Sequence, residues 1–213
     1  LAKEHGQTAI ALTDHGVMYG AIDFYTACKK QGIKPIIGVE AYVANRSRLQ
    51  KEPQIDNKRY HLTLLAKDLT GYQNLIKLTT SAHLEGFYYK PRVDKDLLRQ
   101  HAEGLICLSG CPGSELGRAI QHGDTIKAEA SVLESQNIFG PENYYLEIMN
   151  HPDVDFYEDW KNTIVGLSKK FNIPLVATQD SHYLRKDDAV AHKTLVAIST
   201  HSDVSDPAIF SGQ

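Results

Sequence analysis

The tripeptide Asp14-His15-Gly16 constrains this chain more than any other stretch. It closes an apolar run, Thr8-Ala9-Ile10-Ala11-Leu12-Thr13, whose composition predicts a buried strand. A buried strand that stops on a carboxylate and an imidazole must satisfy both groups, because burying either alone costs on the order of several kcal/mol. Two arrangements meet that cost: hydrogen bonds to neighbours, or a bound metal or substrate. A second Asp-x-His, Asp180-Ser181-His182, follows the apolar run Pro174-Leu175-Val176-Ala177 near the other end of the chain. Two strand ends presenting Asp and His point to one site at one end of a sheet or barrel.

The pattern between these motifs alternates. Strands are predicted at Pro35–Val43, Tyr60–Ala66, Gly104–Ser109 and Asn143–Met149. Helices are predicted at Gly20–Lys30, Tyr72–His83, Asp94–Gln100, Ser114–His122, Asp124–Gln136, Asp155–Phe171 and Asp187–Ile198. In the first helix Ala21, Ile22 and Tyr25 share a face, and in the sixth Trp160, Ile164, Leu167 and Ser168 point inward. This order is the α/β signature, compatible with a barrel or a doubly wound sheet, and in both function gathers at the carboxyl ends of the strands. Arg46–Arg59 is polar, contains Pro53 and lacks a helical period, which predicts an exposed, mobile loop.

The ends of the chain look cut. Leu1-Ala2-Lys3-Glu4-His5-Gly6 reads as the last turn of a helix with no initiating Met, and Thr200–Gln213 is polar without a clear stop. The expectation is a fragment.

The 213 residues suffice for one sizeable core, and a net charge of −3 disfavours nucleic-acid binding by bulk charge alone. No apolar run approaches the roughly 20 residues that span a membrane. Three cysteines, Cys28, Cys107 and Cys111, make an odd count, which predicts reduced thiols in a cytoplasmic protein. Ten histidines raise the prospect of metal binding.

Strand ends and their loops supply Asp14, His15, Cys111, Asn150, His151, Asp180 and His182, while Glu40 lies within a strand and His61 opens one. These are the donors of zinc, manganese and iron sites, and such clusters activate water for phosphoester hydrolysis. If the Glu40 and His61 strands, joined without a helix, run antiparallel, His61 returns toward the level of Glu40. Plainer readings stand beside this one. Asp14-His15 also fits a hydrogen-bonded turn, Glu40 a buried acid paired with a base, His61 a surface residue, and Cys111 a turn or core thiol. Cys28 and Cys107 read as core; His5, His83, His101, His122, His192 and His201 read as solvated. Tyr88, Tyr89, Lys90 and Arg92 fit either an aromatic-basic surface that stacks a base and holds a phosphate, or a loop packed on a neighbouring domain.

Several of these stretches carry a resemblance. Ala11-Leu12-Thr13-Asp14-His15-Gly16 with Met18-Tyr19-Gly20, and Lys34–Tyr42, resemble motifs of the PHP (polymerase and histidinol phosphatase) domain. Gly86–Arg92, Leu108-Ser109-Gly110-Cys111 and Ala177–Tyr183 resemble one branch of it, the domain at the N-terminus of the alpha subunit of bacterial DNA polymerase III. The resemblance covers nearly the whole chain.

It implies an α/β fold, a distorted seven-stranded (β/α) barrel of PHP type, here lacking its first strand. The family's first motif, a His-x-His, would lie upstream of Leu1. The domain would span 1–200, with 201–213 starting a linker toward the polymerase module. The matching metal ligands are His15, Glu40, His61, Cys111, Asp180 and His182, with Asp14 orienting His15. His15 and Asp180 are the expected catalytic ligands, and Tyr89, Lys90 and Arg92 the expected substrate contacts. Cys111 stands where many members have His, and a thiolate also binds zinc. The expected cofactors are up to three divalent metal ions, zinc first, then manganese or magnesium. The implied activity is a metal-dependent phosphoesterase, specifically a 3′–5′ proofreading exonuclease. The implied partners are the rest of the polymerase alpha subunit, primer-template DNA and a separate proofreading exonuclease subunit. A free-standing phosphatase of histidinol-phosphate type and a non-catalytic scaffold that binds other subunits are the alternatives.

Overall fold

The structure is a computed structural model that describes residues 1–151 and 154–203. The chain divides into two compact units, Leu1–Ala177 and a second that begins at Thr178.

The first unit is a curled half-barrel sheet with helices packed on it. Its strands are β1 (Ala9–Leu12), β2 (Lys34–Ala44), β3 (Arg59–Ala66), β4 (Arg92–Val93), β5 (Leu105–Leu108), β6 (Tyr144–Ile148) and β7 (Leu175–Ala177). The sheet order is β1-β2-β3-β5-β6-β7, and β4 pairs with β2 off that path. Pairing is parallel between β1 and β2, β5 and β6, β6 and β7, and β2 and β4. Only β3 is antiparallel to its neighbours. That single reversal places the start of β3 at the rim where β1 and β5 end.

The helices of this unit are α1 (Ala21–Gln31), α2 (Leu69–Leu84), α3 (Lys95–Gln100), α4 (Glu115–Gln121), α5 (Thr125–Phe139) and α6 (Tyr157–Phe171). Asp68, Asp94, Ser114 and Asp124 cap α2 to α5, each side chain accepting a backbone N–H of the first turn. The core lies between these helices and the sheet. Val39 and Leu64 from the sheet centre meet Leu75 and Leu78 of α2, Val132 of α5, and Trp160 and Ile164 of α6, all nearly or fully excluded from solvent. The expected inward face of α6 is present. In α1 the buried residues are Ala21 and Cys28, while Ile22 and Tyr25 are exposed, so the helix packs through its small side chains. Cys107 is fully buried, and that burial pushes its thiol well up, as suits a core residue.

Two local expectations change. Leu1–Gly6 forms turns rather than a regular helix: His5 N–H reaches Leu1 O, and Gly6 turns with φ of 69°. The stretch 46–58 is tethered. Arg92, fully buried on β4, donates to the carbonyls of Asp56 (2.7 Å), Arg48 (2.9 Å) and Gln50 (2.9 Å), and to Gly86 (2.9 Å) on its own side. Arg46 pairs with the buried Asp56, and Arg48 with Asp94 and Glu85. A polar composition marked this loop as exposed, yet its backbone is fastened to a side chain some forty residues away in sequence.

The second unit holds a 3-10 turn at Lys186–Asp188 and α7 (Ala189–Thr200), which buries Val196 and Ala197. Of the expected linker 201–213, residues 204–213 lie outside the described residues. No helix among the described residues is long and apolar enough to cross a membrane.

Candidate metal centre

The site is built where β1 runs past its last paired residue. The parallel register of β1 and β2, Leu12 against Ile37, resumes as one more bridge between His15 and Glu40. Glu40 N–H donates to Asp14 O (3.0 Å) and Gly16 N–H to Glu40 O (2.9 Å), which fixes His15 beside Glu40. Gly16 then turns the chain with φ of 68°; a β-carbon there would lie 2.9 Å from Pro91 Cγ and 3.2 Å from the Tyr42 ring. Only glycine fits both the left-handed backbone and that space.

Strand alternation supplies the second and third donors. Glu40 and Tyr42, two residues apart on β2, share one face. On the antiparallel partner His61 stands opposite Tyr42, and Thr63 opposite Glu40. His61 therefore comes back to Glu40, as the helix-free connection implied. His61 Nδ1 lies 2.6 Å from Glu40 Oε1, and His15 Nε2 lies 3.4 Å from Glu40 Oε2. Glu40 is buried, while the two imidazoles are partly open. The donor atoms of His15, Glu40 and His61 all lie within 4.8 Å of one another.

Cys111 lies next to His61. It follows β5 through Ser109 and Gly110, the latter at φ of 82°, and its Sγ lies 3.6 Å from His61 Nδ1. The loop is held from two sides. His61 N–H donates to Gly113 O (3.3 Å), and Gly110 N–H donates to the buried carboxylate of Glu147 (3.0 Å). Ser109 Oγ accepts the backbone N–H of Glu147 (2.9 Å), so β6 positions the cysteine loop.

Tyr42 walls the cluster. Its buried ring lies 6.0 Å from the His15 ring and 5.5 Å, edge-on, from the His61 ring. Burial pushes its phenol up, Arg59 opposes this, and Glu40 adds to it; the hydroxyl stays protonated at neutral pH.

The remaining expected residues are placed as follows. Asp14 O accepts the Glu40 N–H (3.0 Å), and the His15 ring lies beside Glu40 and Tyr42. Arg92 turns its guanidinium into the 46–58 loop and away from solvent, which removes it from the substrate contacts. Tyr89 is exposed at φ of 60°, and Lys90 Nζ lies 5.8 Å from the Tyr42 ring centroid. Asp180 and His182 belong to the second unit. There Asp180 has φ of 49°, His182 Nδ1 lies 2.8 Å from Asp180 O, and the His182 ring lies 5.4 Å from that of His192. His192 also meets Tyr183, at 5.3 Å, so it is not the solvated helix residue that its sequence context suggested. His151 packs its ring against Tyr157, at 4.6 Å.

Tyr42, Arg59 and Glu147 were not foreseen as site residues. Tyr42 and Arg59 had a signal, their spacing of two from Glu40 and His61. Glu147 had another, a carboxylate between Leu146 and Ile148 on a buried strand.

Two imidazole nitrogens and a carboxylate converge here, one carboxylate oxygen per imidazole, with the Cys111 sulfur beside His61. His15, Glu40 and His61 fit a divalent metal ion: each is a common ligand, and their spread matches ligands about 2.0–2.2 Å from one centre.

Residues 1–151 match the family model described as PHP domain. The chain belongs to the PHP domain family. Among PHP-containing proteins it is 46% identical over 201 residues to the DNA polymerase III subunit alpha of Thermus aquaticus, covering 93% of this chain and 16% of that protein. It is 45% identical over 207 residues to the same subunit of Treponema pallidum, covering 97% and 18%. The chain thus spans about a sixth of the length of the curated relatives it matches. Among solved structures, a protein assigned as a metal-dependent phosphoesterase from Bifidobacterium adolescentis superposes with a TM-score of 0.54 at 9% identity, over 85% of this chain and 80% of that one. An amidohydrolase from Chromobacterium violaceum superposes at 0.50 and 15% identity, over 85% and 79%. Both likenesses concern the fold.

Proposed function

We propose that this PHP domain serves as the N-terminal module of a replicative DNA polymerase alpha subunit and hydrolyses phosphoesters with divalent metal ions. The observation that carries the reading is Glu40, buried and held between His15 and His61, with Cys111 on the same imidazole nitrogen. A buried carboxylate flanked by two imidazoles and a thiol is poorly suited to a core and well suited to a cation.

His15, Glu40, His61 and Cys111 are the proposed ligands. Asp180 and His182 stay in the proposed set on the strength of their sequence motif alone. Zinc is the favoured ion because imidazole and thiolate suit it; manganese or magnesium would weigh the carboxylates more heavily. A bound divalent ion supplies Lewis acidity to a phosphoryl oxygen and brings the pKa of water near neutrality. The chain's own residues do the rest. Glu40 holds the imidazoles in place and carries the compensating charge. Tyr42, a buried neutral phenol, closes one wall of the cluster.

The proposed reaction is removal of a mismatched 3′ nucleotide, 3′–5′ proofreading, combined with bracing the polymerase module and docking a separate exonuclease subunit. The 93–97% coverage by polymerase relatives supports this over a free-standing phosphatase. The test uses the full-length protein, purified without chelator, on a labelled mismatched primer and on a small phosphate monoester. Primer trimming that scales with bound metal is the expected result. Monoester hydrolysis alone would favour the free-standing phosphatase, and neither activity with metal bound would favour the scaffold.

A further inference from the structure

The metal cluster occupies only part of the face that β2 and β3 share. Arg59 stands two residues before His61 on β3, on the same face, and opposite Ala44. The next residue across and inward is Tyr42, and the Arg59 guanidinium carbon lies 5.5 Å from that ring's centroid. Lys90 reaches the same ring from elsewhere: it closes the small bridge with Tyr88, just before Pro91 and β4, and its Nζ lies 5.8 Å from the centroid. One aromatic ring therefore carries His15 and His61 against it and two cations over it.

Three arginines of this region are already engaged. Arg46 pairs with Asp56 and Glu52, Arg48 with Glu85 and Asp94, and Arg92 is buried on carbonyls. Arg59 and Lys90 form no ion pair with any described residue. Arg59 Nη1 donates to Asn57 O (3.1 Å) at the surface, while Nε is closed off from solvent, so the outer end of the guanidinium is what an anion can reach. The two terminal nitrogens, Nη1 and Nη2, form an edge with which a guanidinium grips an oxyanion through paired bonds. A guanidinium and an ammonium that share the Tyr42 ring, next to the His15–Glu40–His61 donors, make a place for an anion that a metal itself does not hold.

We infer that Arg59 and Lys90, gathered over Tyr42, bind a backbone phosphate next to the scissile one, so that the substrate is a phosphodiester strand rather than a small phosphate ester. The inference rests on the phosphoesterase reading for its link to turnover. The rim itself is a binding site whether or not hydrolysis follows. Tyr42 sets the spacing, since its ring is fixed between the cations and the imidazoles. Arg59 and Lys90 are specificity-determining residues, not metal ligands.

Two readouts separate the rim from the chemistry. In the full-length protein, Arg59→Gln with Lys90→Gln should raise KM for a single-stranded oligonucleotide at least tenfold, with kcat changed by less than about threefold. The dependence of log KM on log salt should flatten by about 0.7, the value for one lost phosphate on a single strand. Bound metal and melting temperature serve as the folding control, and Arg59→Lys should restore part of the loss. Independently of turnover, an oligonucleotide ending in 4-thiothymidine should photo-crosslink to peptides containing Arg59 or Lys90, and the double variant should lose at least four-fifths of that crosslink. An unchanged KM and salt slope, or no crosslink to these segments in the wild-type protein, overturns the inference. A crosslink without any hydrolysis retains the rim and sinks the phosphoesterase reading instead.

Discussion

His61 Nδ1 lies 2.6 Å from Glu40 Oε1, although 20 residues and a tethered loop separate them in the chain. The contact exists because β3 alone runs against the rest of the sheet, which brings the first residues of that strand to the rim where β1 and β5 end. A single hairpin without a crossover helix thus converts two distant residues into neighbours on one face.

Glu40→Gln keeps the shape of this contact and removes its charge. Metal affinity should fall at least about tenfold, the loss that even a supporting partner of a ligand brings. Thermal stability measured with saturating metal should fall too, since a ligand at a hundred times its Kd contributes about 2.7 kcal/mol. Metal content by plasma mass spectrometry and melting curves with and without chelator give the answer. His182→Ala should do the same if the second Asp-x-His motif supplies ligands. Unchanged stoichiometry in both variants would count against the ligand set.

Cys111 is the softest donor near His61, 3.6 Å from its Nδ1. Cys111→Ser retains a small polar group and discards the thiolate, so selectivity should shift rather than vanish. Zinc affinity should drop by at least about tenfold relative to manganese, because sulfur is what favours the softer ion. Competition between the two metals, read by metal content at equilibrium, measures the ratio. An unaltered ratio would place Cys111 outside the coordination sphere.

Arg92→Leu should unfasten the 46–58 loop. The guanidinium donates to four carbonyls from inside the protein, and each bond to a charged group is worth about 1.5–3 kcal/mol, though they do not add in full. Leucine leaves those carbonyls without their donor, so a loss of about 3 kcal/mol or more is expected in urea unfolding. Limited proteolysis should then cut within 46–58 under conditions where the wild-type protein is resistant. Resistance equal to wild type would show that the Arg46 and Arg48 ion pairs hold the loop unaided.

Much of this arrangement was legible in the residues themselves. His15 and Glu40 announced themselves as polar groups attached to apolar strands, and the missing helix between β2 and β3 implied the reversal that delivers His61. What stayed hidden depends on partners far apart in sequence. The polarity of 46–58 reads as exposure, and nothing local reveals that Arg92 collects its carbonyls. The sequence around Asp14 gives no hint that its backbone carbonyl accepts the Glu40 N–H and so sets His15 beside Glu40. Arg59 looked like one more charge in a basic loop; its register opposite Ala44 puts it on the site's face.

The loop's anchor should also make the fold acid-sensitive in a specific way. Asp94 is buried, and burial alone would raise its carboxyl. The N–H groups of Arg48 (2.9 Å) and Leu97 (3.0 Å), together with the Arg48 guanidinium, outweigh that and hold it below its ordinary value of 3.8. A carboxyl depressed in the folded state binds fewer protons than in the unfolded chain. Its contribution is therefore complete above pH 3.8 and is lost as pH falls from there through the folded-state pKa. Asp94→Asn removes the charge while keeping an oxygen to cap α3. It should cost about 1–2 kcal/mol near neutral pH, where the charge-assisted bonds are whole. The gap to wild type should narrow steadily between pH 4 and pH 2, because the wild-type protein loses the same charge by protonation. Urea midpoints across that range test it. A gap that stays constant would mean that the N–H caps and not the ionised carboxylate carry the stability, and that Arg48 owes its position to Glu85 instead.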